Sequence, residues 1–181
     1  MRTSALIPAA LAVIFLQACT LTVRDGNPYK PTATLQEIMT SIIDPNIDYV
    51  WNSVSTVSTA QGTEERQPRT DEDWNAVRQH ALTVVEASNL LLVKGRAVAR
   101  KGANTSSGGA ELHPEDIEKA IAAQRADFVK RTDEFHDAAL RLIAAIDRKN
   151  ADELVEAGGA VEHACEQCHS QFWYPNDKKP K

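Results

Sequence analysis

The chain has 181 residues, with 20 Lys and Arg against 25 Asp and Glu and a formal charge of −5 at neutral pH. That length suits one domain with a sizeable core. The acidic balance, with no basic cluster beyond the solvated tail Lys178-Lys179-Pro180-Lys181, excludes a nucleic-acid ligand.

Arg2 precedes an apolar run from Ala5 to Leu16, followed by Gln17-Ala18-Cys19. A charged start, a short apolar stretch and a small residue at its end make residues 1–18 an export signal rather than part of the fold. The stretch falls short of the roughly 20 residues of a membrane span. A small residue just before a Cys resembles the bacterial lipobox, in which Gln17 is unusual, and it implies that Cys19 is the lipidated first residue of the mature chain. A plain cleaved signal and an uncleaved anchor are the alternatives. Loss of the signal removes Arg2 and no acid, taking the charge from −5 to −6. Residues 19–33 carry Gly26, Pro28 and Pro31 without helical periodicity and read as a tether between lipid and domain.

A domain is expected over residues 34–175, with residues 176–181 as a tail. Leu35, Ile38, Met39, Ile42 and Ile43, then Val50, Trp51 and Val54, mark a first amphipathic helix. Pro45 should kink or briefly break it, with Asp44 as a local cap. Thr56 to Arg69 shows no clear period. Thr70-Asp71-Glu72-Asp73 opens a second helix whose stripe runs through Trp74, Val77, Ala81 and Ser88 toward about Arg100, with Gly95 a weak point near its end. Residues 102–109 read as a flexible loop by composition. Pro114 restarts the chain, and Ile117, Ile121, Phe128, Phe135, Leu142 and Ile146 mark a third helix of more than 30 residues. Asn150 and Glu153 resemble a capping pair for a fourth, which ends before Pro175. No segment alternates long enough to argue for a strand. The chain reads as all-α, and four apolar stripes bury most simply as an antiparallel four-helix bundle. Gly158-Gly159 inside the fourth helix implies either close approach of a neighbour or haem edge, or a local bend.

That last helix carries Cys165-Glu166-Gln167-Cys168-His169, and C-x-x-C-H is the attachment signature of a covalent c-type haem. Positions three and four apart share one helix face, so both thiols and the imidazole point at one object. The thiols can add to the haem vinyl groups as thioethers, and His169 can reach the iron as proximal ligand. A zinc half-site or a reducible disulfide are the alternatives. Zinc wants more ligands than His163 adds, and a thioredoxin-like motif expects a βαβ context absent here. If Cys19 takes lipid and Cys165 and Cys168 take haem, all three cysteines are used. Export fits thioether attachment, and the expected address is the bacterial cell envelope, as a periplasm-facing lipoprotein held in the outer or inner membrane through Cys19.

Four helices with C-x-x-C-H near the C-terminus resemble the class II cytochromes c, the cytochrome c' family, over residues 34 to 174. The resemblance implies one haem c on the C-terminal helix and a first helix that lays a residue over the distal haem face. A Met there implies a six-coordinate, low-spin electron carrier; an aliphatic residue implies five-coordinate iron that binds nitric oxide or carbon monoxide. After Met1 the only methionine is Met39, on the stripe of the first helix, so Met39 is the expected distal iron ligand, with a core filler as the plain alternative. His80, His113, His136 and His163 are expected to be non-ligands. Trp51, Trp74 and Phe135 are expected in the core, with a place around the haem open to them. Many family members follow the motif with an aromatic and then Arg, where this chain has Trp173, which counts against proximal-side gas chemistry. The expected activity is one-electron transfer without substrate transformation, so no enzyme, with gas binding as the alternative. Redox proteins are the expected partners, and a homodimer through the first two helices fits the resemblance.

Overall fold

The computed structural model describes residues 28–103 and 110–177. The signal, Cys19, the tether up to residue 27, the loop at 104–109 and the tail from residue 178 lie outside the described residues.

The first helical arm begins at Thr34. Its Oγ1 accepts the Glu37 amide at 3.1 Å while Glu37 Oε2 accepts the Thr34 amide at 2.9 Å, so two otherwise orphaned donors are satisfied at once. Helix α1 covers Leu35–Ile38, a π-helical turn covers Met39–Ile43, and α2 covers Asp44–Ser53. The expected break at Pro45 is replaced by this wider turn, one turn upstream. Proline offers no N–H to the carbonyl of residue 41 and its ring would strike it. Instead the Asp44 amide reaches back to the Met39 carbonyl, and the Asn46 side chain donates to the Ile42 carbonyl at 2.6 Å. Asp44 stays helical and closes the wider turn through its backbone amide, and its side chain makes no cap at the start of α2.

Two strands appear where none was expected. β1 (Thr56–Thr59) pairs antiparallel with β2 (Gly62–Glu65), in the register Val57 opposite Glu64. Both faces of the hairpin are largely exposed, so burial imposed no apolar alternation on the sequence. Its turn relies on Gly62 at φ +132°, a backbone that side chains resist.

Helix α3 (Asp71–Leu91) starts on a second reciprocal cap between Thr70 and Asp73. It ends at Leu91, well before Arg100, because the following loop turns through Gly95 at φ +79° and is pinned to α1: Leu35 and Gln36 donate to the Ala97 and Val98 carbonyls. The long third helix is two helices, α4 (Pro114–Ala123) and α5 (Arg125–Asp147), hinged at Gln124 with φ −120° and ψ 43°. The hinge lets Glu118 on α4 accept the Val98 amide at 2.9 Å, while Arg125 ties the start of α5 to the Leu92 carbonyl at 2.7 Å. Helix α6 (Ala151–Phe172) is capped by Asn150, whose side chain accepts the Glu153 amide at 3.1 Å. Glu153 does not reciprocate; its carboxylate takes Arg148.

The first arm, α3, α5 and α6 form the four-helix bundle, with α5 packed between α3 and α6 and α2 against α3. Val50, Ala81, Val84, Leu142, Leu154 and Val161 have no solvent exposure, and each buried aliphatic side chain larger than Ala contributes about 1.5–3 kcal/mol. Among the described residues no helix is long and apolar enough to cross a membrane.

Candidate functional site

The last two turns of α6 place Cys165, Cys168 and His169 on one face, and all three line a single cavity of about 350 Å³ between the helices. The first arm supplies Met39, Ile43, Asp44, Ile47, Asp48 and Trp51 to its wall; α3 supplies Leu91, and α5 supplies Arg131, Thr132 and Phe135. The π-helical turn decides that set. It brings Asp44, five residues after Met39, onto the same side of the arm, an alignment that regular α-helical spacing does not produce.

The site keeps its three reactive groups neutral. Burial pushes the Cys165 thiol up to about 12, helped by the neighbouring Cys168, and pushes Cys168 up to about 11, with Arg131 pulling the other way. Burial also lowers the pKa of His169, against the attraction of Asp44, so its imidazole offers a lone pair at neutral pH. Asp44 is exposed by area yet its carboxyl crowds the cavity, and desolvation raises its pKa while His169 opposes the rise.

These groups suit a flat, largely apolar prosthetic group. Two thiols and one nitrogen sit on one helix, a thioether sulfur faces the same space from another, and Ile43, Ile47, Trp51, Leu91, Phe135 and Ala164 make up the apolar part of the wall, with Asp44, Asp48, Arg131 and Thr132 as its polar members. The metal alternatives fare less well. Among the described residues no three or more His, Cys, Asp or Glu side chains are grouped to hold an ion, and Cys165 and Cys168 are free thiols. His163 does not line the cavity; it opens onto an adjoining surface groove with Glu162 and Glu166, which also meets Cys165 and His169.

His80 and His136 are occupied elsewhere. His80 stacks on Tyr49 with ring centroids 3.8 Å apart and meets Asn46 Oδ1 at 2.7 Å; His136 meets Ser88 Oγ at 2.8 Å. Trp51 and Phe135 line the cavity and Trp74 does not. Trp51 also accounts for Gly158. Its Nε1 donates to the Gly158 carbonyl at 3.2 Å, and a Cβ on Gly158 would lie 3.0 Å from Trp51 Cδ1. The close approach expected there is made by an indole, while Gly159 faces open space. Beyond the motif, the Trp173 and Tyr174 amides both donate to the His169 carbonyl, and the two aromatic rings stand 6.2 and 6.3 Å from the imidazole. Burial, with a hydrogen bond to Glu166 at 2.5 Å, raises the Tyr174 pKa.

Sequence reasoning did not find Asp44, Asp48, Leu91, Arg131 or Thr132 at this site. Arg131 is held by Gln171 and Glu134, both at 2.9 Å, and buried Thr132 donates to the Phe128 carbonyl. None of them carries a motif; the fold alone brings them together.

A family model described as Cytochrome C' matches residues 67–173, which spans α3 to α6 and leaves out the arm that carries Met39. No curated protein matches the chain. Among solved structures, the cytochrome c' of Rubrivivax gelatinosus is 20% identical, covering 77% of this chain and 91% of its own, with a TM-score of 0.49. A nitric oxide complex of a ferrous cytochrome c' variant from Alcaligenes xylosoxidans is also 20% identical, covering 77% and 90%, with a TM-score of 0.45.

Proposed function

Because this chain belongs to the cytochrome c' family, which carries one covalent c-type haem, we propose that it is a periplasm-facing monohaem cytochrome that transfers single electrons. In this reading Cys165 and Cys168 hold the haem as thioethers, His169 is the proximal iron ligand and Met39 the distal one. The observation that carries it is the position of Met39. It lines the same cavity as His169 from a different helix, and it is the only methionine after Met1.

The haem supplies reversible one-electron chemistry at its iron. The chain does the rest. Its neutral imidazole and thioether fix two ligand positions before any electron arrives, and Ile43, Ile47, Leu91 and Phe135 exclude water from the cavity. A dry, low-dielectric wall sets the reduction potential and limits reorganisation. Nothing in this role transforms a substrate.

The family assignment leans toward a second reading, five-coordinate iron that binds nitric oxide or carbon monoxide. Buried Ile43 favours it, since it offers the same cavity an aliphatic side chain that cannot ligate. The absorption spectrum of the ferric holoprotein, followed by reduction under carbon monoxide, separates the two. A low-spin spectrum with the weak far-red band of thioether ligation and slow carbon monoxide uptake supports electron transfer; a high-spin spectrum with ready uptake supports gas binding and refutes transfer.

Anchoring through a lipidated Cys19, redox-protein partners and pairing of two bundles complete the proposal. Export signal and tether composition support the anchor. Cys19→Ala should release the protein from the membrane fraction, and retention there would contradict it.

A further inference from the structure

A second cavity, of about 570 Å³, abuts the first at the same end of the bundle, between the 93–98 loop, α4 and the start of α5. Leu91 belongs to both walls. Leu35 in the second wall lies four residues before Met39 in the first, and Phe128 four before Thr132, about 6 Å of helical rise in each case. The two cavities differ in charge. The first sets Asp44 and Asp48 against one cation, Arg131, already engaged by Glu134 and Gln171. The second sets Lys94, Arg96 and Arg125 against one carboxylate, Glu118, which accepts the Val98 amide.

The two guanidiniums are held rather than neutralised. Arg96 donates through Nε to the Leu90 carbonyl at 2.9 Å and through Nη1 to the Ala33 carbonyl; Arg125 donates through Nη2 to the Leu92 carbonyl and lies 5.4 Å from the Phe128 ring centre. Among the described residues no ion pair involves Arg96, and partial burial lowers its pKa. A cation drawn from water without an anion is costly, and an arriving carboxylate offsets that cost.

Among the described residues the backbones of α3 and α6 make no close approach; each packs on α5. Leu91 on α3 is therefore diagonally across the bundle from Cys165 and Cys168. A haem joined by its vinyl edge to α6 has its two propionate carboxylates on the opposite edge. In the cavity so bounded, that edge would lie toward Leu91 and the basic cavity that shares it. We propose that Arg96 and Arg125 anchor the haem propionates and so position the prosthetic group and raise its reduction potential. The proposal rests on the haem assignment above and not on Met39. Cations beside the propionates disfavour the extra positive charge of ferric iron, so their removal favours the oxidised form.

The test compares holoprotein Arg96→Gln, Arg125→Gln, the double variant and Arg125→Lys, by spectroelectrochemical potential and by the propionate bending modes in resonance Raman spectra. Each single Gln variant should lower the reduction equilibrium constant several-fold, the double variant further, with shifted propionate modes; Arg125→Lys should recover most of the potential. Should Arg96→Gln fail to fold through loss of its grip on Ala33, the Arg125 pair decides. An unchanged potential and unchanged modes in Arg125→Gln overturn the proposal. Failure to retain haem under denaturing conditions overturns the haem assignment instead, and the two failures read out separately.

Discussion

Two adjacent alanine substitutions on α6 should change stability in opposite directions. Either one gains about 1 kcal/mol of helix propensity over glycine. At Gly159 a new Cβ meets nothing within 4 Å, so Gly159→Ala keeps that gain. At Gly158 the Cβ would sit 3.0 Å from Cδ1 and 3.1 Å from Nε1 of Trp51, well inside the roughly 3.5–4.0 Å at which carbon atoms attract. Trp51 can retreat only by loosening its hydrogen bond to the Gly158 carbonyl, a loss of about 0.5–1.5 kcal/mol, and overpacking costs about 1–3 kcal/mol more. The balance is a net loss of about 1–3 kcal/mol for Gly158→Ala. Because Trp51 lines the cavity, that variant should also shift the haem absorption, which Gly159→Ala should leave alone. Urea denaturation of both holoproteins, followed by circular dichroism and by the haem band, measures it. If Gly158→Ala proves as stable as the parent, the claim that Trp51 requires a glycine there is wrong.

Other outcomes follow from the same structure. Cys165→Ala with Cys168→Ala should leave haem extractable by acidified solvent, whereas the parent should keep it through denaturing electrophoresis; haem retained by the double variant would refute thioether attachment. Asp73 accepts the Arg69 and Thr70 amides at 3.0 Å, which holds its carboxyl below the usual range. Its contribution is therefore present above the ordinary carboxylate value of about 4 and lost as pH falls through the lower folded value. Parent minus Asp73→Asn stability should be positive at pH 7 and shrink toward zero in acid; a gap independent of pH would contradict the cap.

What the sequence disclosed depended on whether the cause was local. Helix starts were legible because caps are local: Thr70 with Asp73, and Asn150 with Glu153, announce α3 and α6 by side chains that bond a backbone three residues away. Helix ends were not, since α3 stops where its loop is bound to Leu35 and Gln36, far away in sequence. The hairpin at 56–65 carries no apolar pattern because neither face is buried. Pro45 signalled a disturbance, but the response came upstream, as a π-helical turn that sequence spacing could not place. At the site the motif residues were legible as chemistry, and Met39 was legible by being alone. The charges around them were not, because Asp44, Arg131, Arg96 and Arg125 acquire meaning only from the cavities they line. The electron-transfer reading rests on Met39, which lies in an arm outside the residues that the family model matches.

The most direct test of the account compares the ferric spectra of the parent holoprotein and Met39→Ala. With Met39 on the iron, the parent should be low-spin with a weak far-red thioether band, and the variant should lose the band, turn high-spin and bind carbon monoxide readily once reduced. A parent already high-spin, or a variant with an unchanged spectrum, would contradict Met39 as the distal ligand and the electron-transfer function built on it.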